Sequence, residues 1–494
     1  MNLEKKELPI YPGKPASRLR MSNLKGVGIA MIFMTSALHA AERPNVLFIA
    51  VDDLRPWLGC YDPALNVSPN IDRLAQGSRL FKRHYVQVPT CGASRCSLMY
   101  GRYPARLPDD MGNEAIAKSA VKQPHASLPA LFRQNGYRTI SVGKITHYPG
   151  GNGGRGWKNG PEELPGAWDV SIMPTGPWKV PEAAMHGYAN GVPRKRGGGR
   201  SPVTEFAEGD DKTYPDGWIT EEVISRLKNV SESGKPFFLA AGFIKPHLPF
   251  AAPARYRSGE RSFTLPAPPE GKQPAYPTTW HPSLEFRSYG LDRGDPFKSA
   301  ESAESYRRAY MACIRYTDTQ IGKVLTVLAE SPAARNTVVV LWGDHGWLHG
   351  EHGIWGKHCL FEEALHSPLI IRIPDQKHPG MKSNEIVETV DIYPTLAELA
   401  GIDLPSTLDG RSLGPQLVDA GALGDAAAFG AWQDKRTVRD DRYRLIVSVS
   451  DPQYAELYDH QRDPGELSNL ALLQPEQAAR LRELIPEHFK VQKH

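Results

Sequence analysis

The stretch 45-NVLFIAVDDL-54 sets an unbroken apolar run, Val46 to Val51, directly against two carboxylates, Asp52 and Asp53. So short a run without polar alternation reads as a strand buried on both faces, which is the habit of parallel sheets. Open α/β sheets bind ligands outside the carboxyl ends of their strands. The two acids therefore stand where chemistry is expected.

Three more stretches repeat the layout. "SLPALFRQNGYRTISVGKITH" (127–147) reads as a helix closing near Asn135-Gly136, then a strand that delivers Lys144 and His147. "KPFFLAAGFIKPHLPF" (235–250) delivers Lys245 and His247, and "NTVVVLWGDHGWLHGEHGIWGKH" (336–358) delivers Asp344 and His345. "SPLIIRIP" (367–374) reads as a further strand, and "SPNIDRLAQGSRLF" (68–81) as a helix opened by Ser68-Pro69. Strands alternating with helical patterns predict an α/β fold, a large mixed and mostly parallel sheet sandwiched by helices.

After "DIYPTLAELAGI" (391–402) the pattern changes. "DRYRLIVSVS" (441–450) and "AELYDHQRDPGELSNL" (455–470) read as strands of a small antiparallel sheet, followed by a terminal helix in "PEQAARLRELIPEHF" (475–489). The expected division is a leader over 1–40, a catalytic domain over 41–410 and a C-terminal subdomain over 411–494. The segments 148–215 and 251–300 are rich in Gly, Pro and Trp without periodicity. Loops that long in a compact protein are usually functional, and here they are placed to wall a substrate pocket.

The chain of 494 residues has a formal net charge of +4, and the excess sits at its start. Residues 1–40 hold Lys5, Lys6, Lys14, Arg18, Arg20 and Lys25 against Glu4 and Glu7, leaving 53 of the 59 basic and 53 of the 55 acidic residues to the remainder. A neutral body excludes the concentrated basic face of a nucleic-acid binder. Arg20 and Lys25 ahead of "GVGIAMIFMTSALHA" (26–40) read as a secretion signal cleaved after Ala40, with Met21 an alternative start. The apolar stretch is short for a membrane span, so no span is expected in the mature chain, which is placed in the periplasm or outside the cell. The five cysteines, Cys60, Cys91, Cys96, Cys313 and Cys359, form no disulfide framework and no C-x-x-C pair.

Acids, lysines and histidines at four strand ends admit a bland reading as capping and turn residues. Their coincidence at one sheet edge favours a site. The stretches that carry them, with "CGASR" (91–95), "YTDTQIG" (316–322) and "VDIYPTLAELAGI" (390–402), resemble the sulfatases of the alkaline-phosphatase superfamily, and within them the iduronate-2-sulfatase branch. The resemblance covers nearly all of the chain after the leader.

That resemblance implies a chemistry. Cys-x-(Pro/Ala/Ser)-x-Arg is the signal for oxidation of the cysteine to Cα-formylglycine, which makes Cys91 the modified residue and Arg95 its arginine. A serine attacking a sulfate ester would be left as a slowly hydrolysed sulfoserine. A hydrated aldehyde has two hydroxyls on one carbon, so one attacks sulfur and the other expels sulfate. Asp52, Asp53, Asp344 and His345, beside the modified Cys91, match the family's divalent-cation site, expected to hold Ca2+. Most sulfatases carry asparagine where His345 stands; the iduronate branch carries histidine. Lys144 and Lys357 match lysines that contact sulfate oxygens. His247 matches the donor to the departing alcohol, and His147 the group that takes a proton during sulfate release.

Lys245, Trp347, His349 and His352 are candidates for substrate binding, each with packing as the alternative. Cys60, Cys313 and Cys359 read as buried thiols and Cys96 as packing in the helix after the motif. Within the family, Ala93 in place of proline resembles the substrates of anaerobic, radical-type maturases, and "MYGR" (99–102) in place of the Leu-Thr-Gly-Arg of many relatives bears on how efficiently the chain is matured. The expected reaction is hydrolysis of an O-sulfate ester on carbohydrate, with the 2-O-sulfate of a uronic acid in a glycosaminoglycan or related polysaccharide as the specific expectation. The rivals are a sulfatase for another sulfated polysaccharide such as an algal one, a phosphomonoester or phosphonate hydrolase of the same fold, and an inactive glycan-binding protein.

Overall fold

A computed structural model describes residues 43–104, 109–119, 122–197, 199–268, 271–274 and 278–490. The leader read in residues 1–40 lies outside them. The central element is the strand Asn45–Val51, paired in parallel with Phe237–Phe243 on one side and Thr337–Gly343 on the other. From edge to edge the sheet runs Lys382–Glu388, Arg79–Tyr85, Leu369–Arg372, Thr337–Gly343, Asn45–Val51, Phe237–Phe243, Arg138–Gly143 and Val170–Ile172. Leu369–Arg372 alone runs against its neighbours. The expected mixed, mostly parallel sheet is thus present.

Side chains alternate across a strand, so the opening run feeds two cores. Leu47, Ile49 and Val51 enter one core, with Ile219 and Val223 of helix Pro215–Ser231 and Ile314 and Ile321 of helix Ala300–Glu330. Val46, Phe48 and Ala50 enter the other, with Leu98 of helix Cys91–Tyr100, Phe132 of helix Leu128–Gln134 and Leu396 of helix Ile392–Leu399. Burial of the run on both faces is what removes polar alternation from the sequence.

One expectation needs correction. The helix read over 68–81 spans only Pro69–Gln76, and Arg79–Tyr85 is a strand. Gly77 closes the helix through its backbone N–H to Leu74 O, and Leu80 and Phe81 then pair with Ile370 and Leu369. Cys60 is half-buried rather than buried, and all five cysteines are free.

Beyond the main sheet, Ala428–Trp432, Lys435–Arg439, Tyr443–Ser448 and Ala455–Asp459 form an antiparallel sheet in sequential order, followed by helix Pro475–Leu484. Val438, Leu445 and Leu457 join the second core, so this sheet is continuous with the catalytic body. An ion network reinforces the junction. Arg444, 1% exposed, pairs with Glu362 and, at 2.5 Å, with Glu466 Oε1, which also faces His460 Nε2 at 2.8 Å. Glu466 Oε2 in turn accepts from the Glu362 backbone N–H at 2.8 Å.

Burial works against the Glu466 charge, but Arg444 and His460 hold its carboxyl down to about 2. A folded pKa below the unfolded value of about 4.5 gives stability above that value, lost as pH falls toward the folded one. Arg444→Met, which strands two buried carboxylates, is expected to cost about 3–5 kcal/mol at pH 7. In urea unfolding the gap to wild type should narrow steadily between about pH 4.5 and pH 2.

Candidate functional site

Three local devices bring the predicted groups together. Asp53 adopts φ 57°, a conformation uncommon outside glycine, and turns its backbone N–H onto Asp344 Oδ1 at 2.9 Å. Gly143, at φ 80°, ends its strand where a Cβ would lie 2.2 Å from Gly242 O, and the chain leaves it at Lys144. Asp216 accepts the backbone N–H groups of Ile244 and Lys245, both at 2.9 Å, and so shapes the turn that presents His247.

Cys91 opens helix Cys91–Tyr100, whose N-terminal dipole favours negative charge beside it. A Cβ on Gly92 would meet Asn113 O at 2.3 Å, so this end of the helix admits only glycine after Cys91. The thiol faces His345 Nε2 and Lys357 Nζ, each at 3.2 Å, with Asp53 Oδ1 at 4.0 Å. Lys357 Nζ also reaches Asp53 Oδ1 at 2.8 Å, and Lys144 pairs with Asp52.

Arg95, wholly buried, binds Asp344 Oδ2 through Nη2 at 2.9 Å and through Nε at 3.1 Å. It reaches Asp52 Oδ1 at 3.3 Å and donates to the carbonyls of Lys144 and Ile145. Asp52, Asp53, Asp344, His345, Cys91, Lys144, Lys357 and Arg95 thus form one buried cluster. His247 joins it at the rim, its ligand atom within 4.8 Å of those of Asp52, Asp53 and Cys91.

The electrostatics follow from burial and neighbours. Burial opposes the Asp52 charge, yet Lys144, His247 and Arg95 hold its carboxyl well below the usual range. Burial and then Asp52 raise the Asp344 carboxyl. Burial and then Asp52 also push the Cys91 thiol well up. As an unmodified cysteine, residue 91 is therefore a protonated thiol and a poor nucleophile. Burial and then Lys144 hold His147 well below its ordinary value, and its Nδ1 is buried without a hydrogen-bond partner. His147 lies against Tyr148 and Trp157 from the long segment, with ring centres at 4.6 and 5.8 Å.

The donor set fits a hard divalent cation. His345 Nδ1 lies 2.9 Å from the Gly346 carbonyl and so carries the ring proton there. In the neutral ring this turns the Nε2 lone pair toward Asp53 Oδ1 at 3.4 Å and Asp344 Oδ1 at 3.7 Å. Lone pairs facing carboxylate oxygens repel unless positive charge lies among them, and a backbone-held Nδ1–H is the usual support of a metal-binding histidine. Asp53 Oδ2 is moreover buried without a partner. Three carboxylates with one imidazole suit such an ion.

The remaining predicted residues lie elsewhere. Lys245 is buried and donates to the carbonyls of His247 and Pro249, at 2.8 and 2.6 Å, so its charge holds the His247 loop. Trp347 is buried with Lys357 Nζ 5.5 Å from its ring centre. His349 has no exposed surface and stacks on Trp57 at 4.5 Å within a cage that includes Tyr310. It lines a separate cleft of about 1160 Å3 that contains none of the cluster. His352 stacks on Phe361 at 3.9 Å.

One group was not read from the sequence. Glu285 Oε1 lies 3.5 Å from His247 Nε2 and its Oε2 3.6 Å from Lys357 Nζ. It comes from the aperiodic stretch 251–300, where no local pattern marks it.

A largely parallel sheet that gathers carboxylates, a histidine and buried cations at its carboxyl edge defines a hydrolase of the alkaline-phosphatase superfamily. The match narrows further. Residues 44–402 fit the family model described as Sulfatase, and residues 350–493 that of N-sulphoglucosamine sulphohydrolase, C-terminal; the chain belongs to the sulfatase family, the hydrolases of sulfuric esters. It is 32% identical to iduronate 2-sulfatase of Homo sapiens over 426 residues, 77% of this chain and 73% of that protein. Two solved structures share the fold. One is a 2-O GAG sulfatase (TM-score 0.60, 23% identity, 90% of this chain and 91% of that one). The other is the phosphonate monoester hydrolase of Agrobacterium radiobacter (TM-score 0.69, 22% identity, 90% and 96%).

Arg95→Lys keeps the charge but loses the forked grip on Asp344 and the carbonyl contacts, which a point charge cannot reproduce. The variant should unfold at a lower temperature and lose at least about 100-fold in kcat, a scale set by displacement of the reacting groups. Thermal scans and sulfate release measured on one preparation check both.

Proposed function

We propose that the chain is an exported, formylglycine-dependent sulfatase that removes the 2-O-sulfate of a uronic acid in a glycosaminoglycan or related polysaccharide. One observation carries the reading: the Cys91 thiol, at a helix N-terminus, faces Lys357, His345 and Asp53 within 4.0 Å. That is where a nucleophile toward an anionic ester has to stand. The uronate assignment is supported by the relationship to iduronate 2-sulfatase over most of both chains.

Asp52, Asp53, Asp344 and His345 are the residues that would hold a divalent ion, expected to be calcium, whose chemistry there is polarisation of the sulfate oxygens. Oxidation of Cys91 by a maturase, with loss of its sulfur, would leave an aldehyde, and addition of water to it would supply paired hydroxyls on one carbon, one to attack sulfur and one to release sulfate. The other steps fall to the chain's own side chains. Lys357 and Lys144 draw in the sulfate group and offset the charge that develops on its oxygens. His247 Nδ1 is committed to the Leu248 carbonyl at 2.6 Å, so Nε2 is the atom that gives a proton to the departing sugar oxygen. His147, uncharged and with Nδ1 unpartnered, takes the proton released as sulfate leaves.

Ala93 keeps the motif within reach of an anaerobic-type maturase, the partner we assign. Export rests on the apolar leader (26–40). None of the described helices is long and apolar enough to cross a membrane.

Chain co-produced with such a maturase should show formylglycine at position 91 by peptide mass spectrometry. It should release sulfate from a 2-O-sulfated uronate disaccharide, and Cys91→Ala should not. Release only from 6-O-sulfated or galactose-based sugars would refute the uronate assignment. Faster phosphate than sulfate release, without formylglycine, would refute the sulfatase mechanism. Asp53→Asn should lower bound divalent metal per chain, read by elemental analysis, as well as activity.

A further inference from the structure

In the proposed reaction the cluster around Cys91 holds the sulfate, and His247 stands on the side of the departing sugar oxygen. The sugar ring therefore lies beyond His247, and the next groups outward are specific. The His186 ring stands 5.5 Å from that of His247. Its Nδ1 is 3.4 Å from the hydroxyl of Tyr289, which is itself buried. The Arg194 guanidinium lies over the Tyr289 ring at 3.5 Å, and its Nη2 donates to Ser288 O at 3.1 Å and to Ser288 Oγ at 2.7 Å. Its Nε is buried and has no hydrogen-bond partner.

Arg194 is thus held on three contacts while its buried Nε–H is left without an acceptor. A buried guanidinium N–H without a partner is costly. Lys195, Arg196 and Arg200 continue the same loop, in which Arg196 pairs with Glu182 at 3.9 Å. After burial and His247, Arg194 and Arg196 are among the charges that disfavour a second positive charge on His186. Glu285, three residues before Ser288, is already spanned by His247 and Lys357.

We propose that His186, Tyr289 and Arg194 form an anion subsite that receives a carboxylate, or a second sulfate, on the sugar whose sulfate ester is cleaved. This rests on the sulfatase reading of the neighbouring cluster and extends it from the reaction to the choice of substrate. A guanidinium held over an aromatic ring with its Nε–H unpartnered suits a carboxylate oxygen, and the exposed Lys195 and Arg196 draw in polyanionic chains.

The test separates the subsite from the reaction by measuring binding where no turnover occurs. In the full chain carrying Cys91→Ala, calorimetry compares a 2-O-sulfated uronate disaccharide with its carboxyl-reduced counterpart. Adding Arg194→Gln should weaken the first by about 10- to 100-fold, the range for a lost hydrogen bond to a charged group. The second should change by less than about 3-fold on the same scale. Arg194→Lys should recover part of the difference, and thermal midpoints should show that each variant is folded. Equal loss for both ligands, or no loss for either, overturns the subsite. Sulfate release by the matured Cys91 enzyme judges the sulfatase reading independently, so either can fail alone.

Discussion

The buried guanidinium of Arg95 is the contact on which the arrangement depends. It spans Asp344 and Asp52, at the carboxyl ends of two neighbouring strands, and the carbonyls of Lys144 and Ile145 after a third. Because it grows from helix Cys91–Tyr100, it also fixes Cys91 relative to all three. Only a planar, permanently charged fork can meet carboxylates and carbonyls in several directions at once. Within a Cys-x-x-x-Arg motif the arginine thus has a structural duty in the folded protein, whatever it does for a maturase.

The cluster collects Asp52, Asp53 and Asp344 against Arg95, Lys144 and Lys357, all buried. Opposed charges at this density are expensive to desolvate, and the surrounding strands supply the rigidity that keeps them together. The balance has a chemical consequence. With three charges of each sign, the protein alone offers no net attraction to an anionic ester. A divalent ion would tip the site positive, and the orphaned Asp53 Oδ2 and the lone pair of His345 are the features that would receive it.

Much of this was legible because strand ends have local signatures. The uninterrupted run before Asp52 marked a strand buried on both faces, and the same pattern before Lys144, His247 and Asp344 placed them at one edge. Motif order then supplied the pairing that periodicity cannot. What stayed illegible depends on contacts between distant segments. Glu285 sits in a stretch without periodicity and meets His247 and Lys357 only through the fold. The strand Arg79–Tyr85 was hidden because "RLFKRHY" continues a helical-looking segment past Gly77. His349, near Asp344 in sequence, turns into an aromatic cage instead, since the hairpin carrying it has two faces.

Glu285 and Arg194 together make the pocket polar in direction. Glu285 lies between the proposed proton donor and the lysine beside Cys91, its carboxyl held well below the usual range by Lys357 and His247 against the effect of burial. Arg194 lies over Tyr289, whose hydroxyl faces His186 beside the donor His247. A sugar bearing both a sulfate and a carboxylate has two anionic ends and could enter a uniformly positive pocket in either sense. A negative group beside the cluster and a positive one further out break that symmetry. In the proposed reading Arg194 would receive the carboxylate at the outer position, which would leave the sulfate directed toward residue 91. Specificity of this kind would draw on a repulsive element as well as attractive ones, and Glu285, the charge the sequence reading passed over, is the repulsive group that stands beside the cations it named.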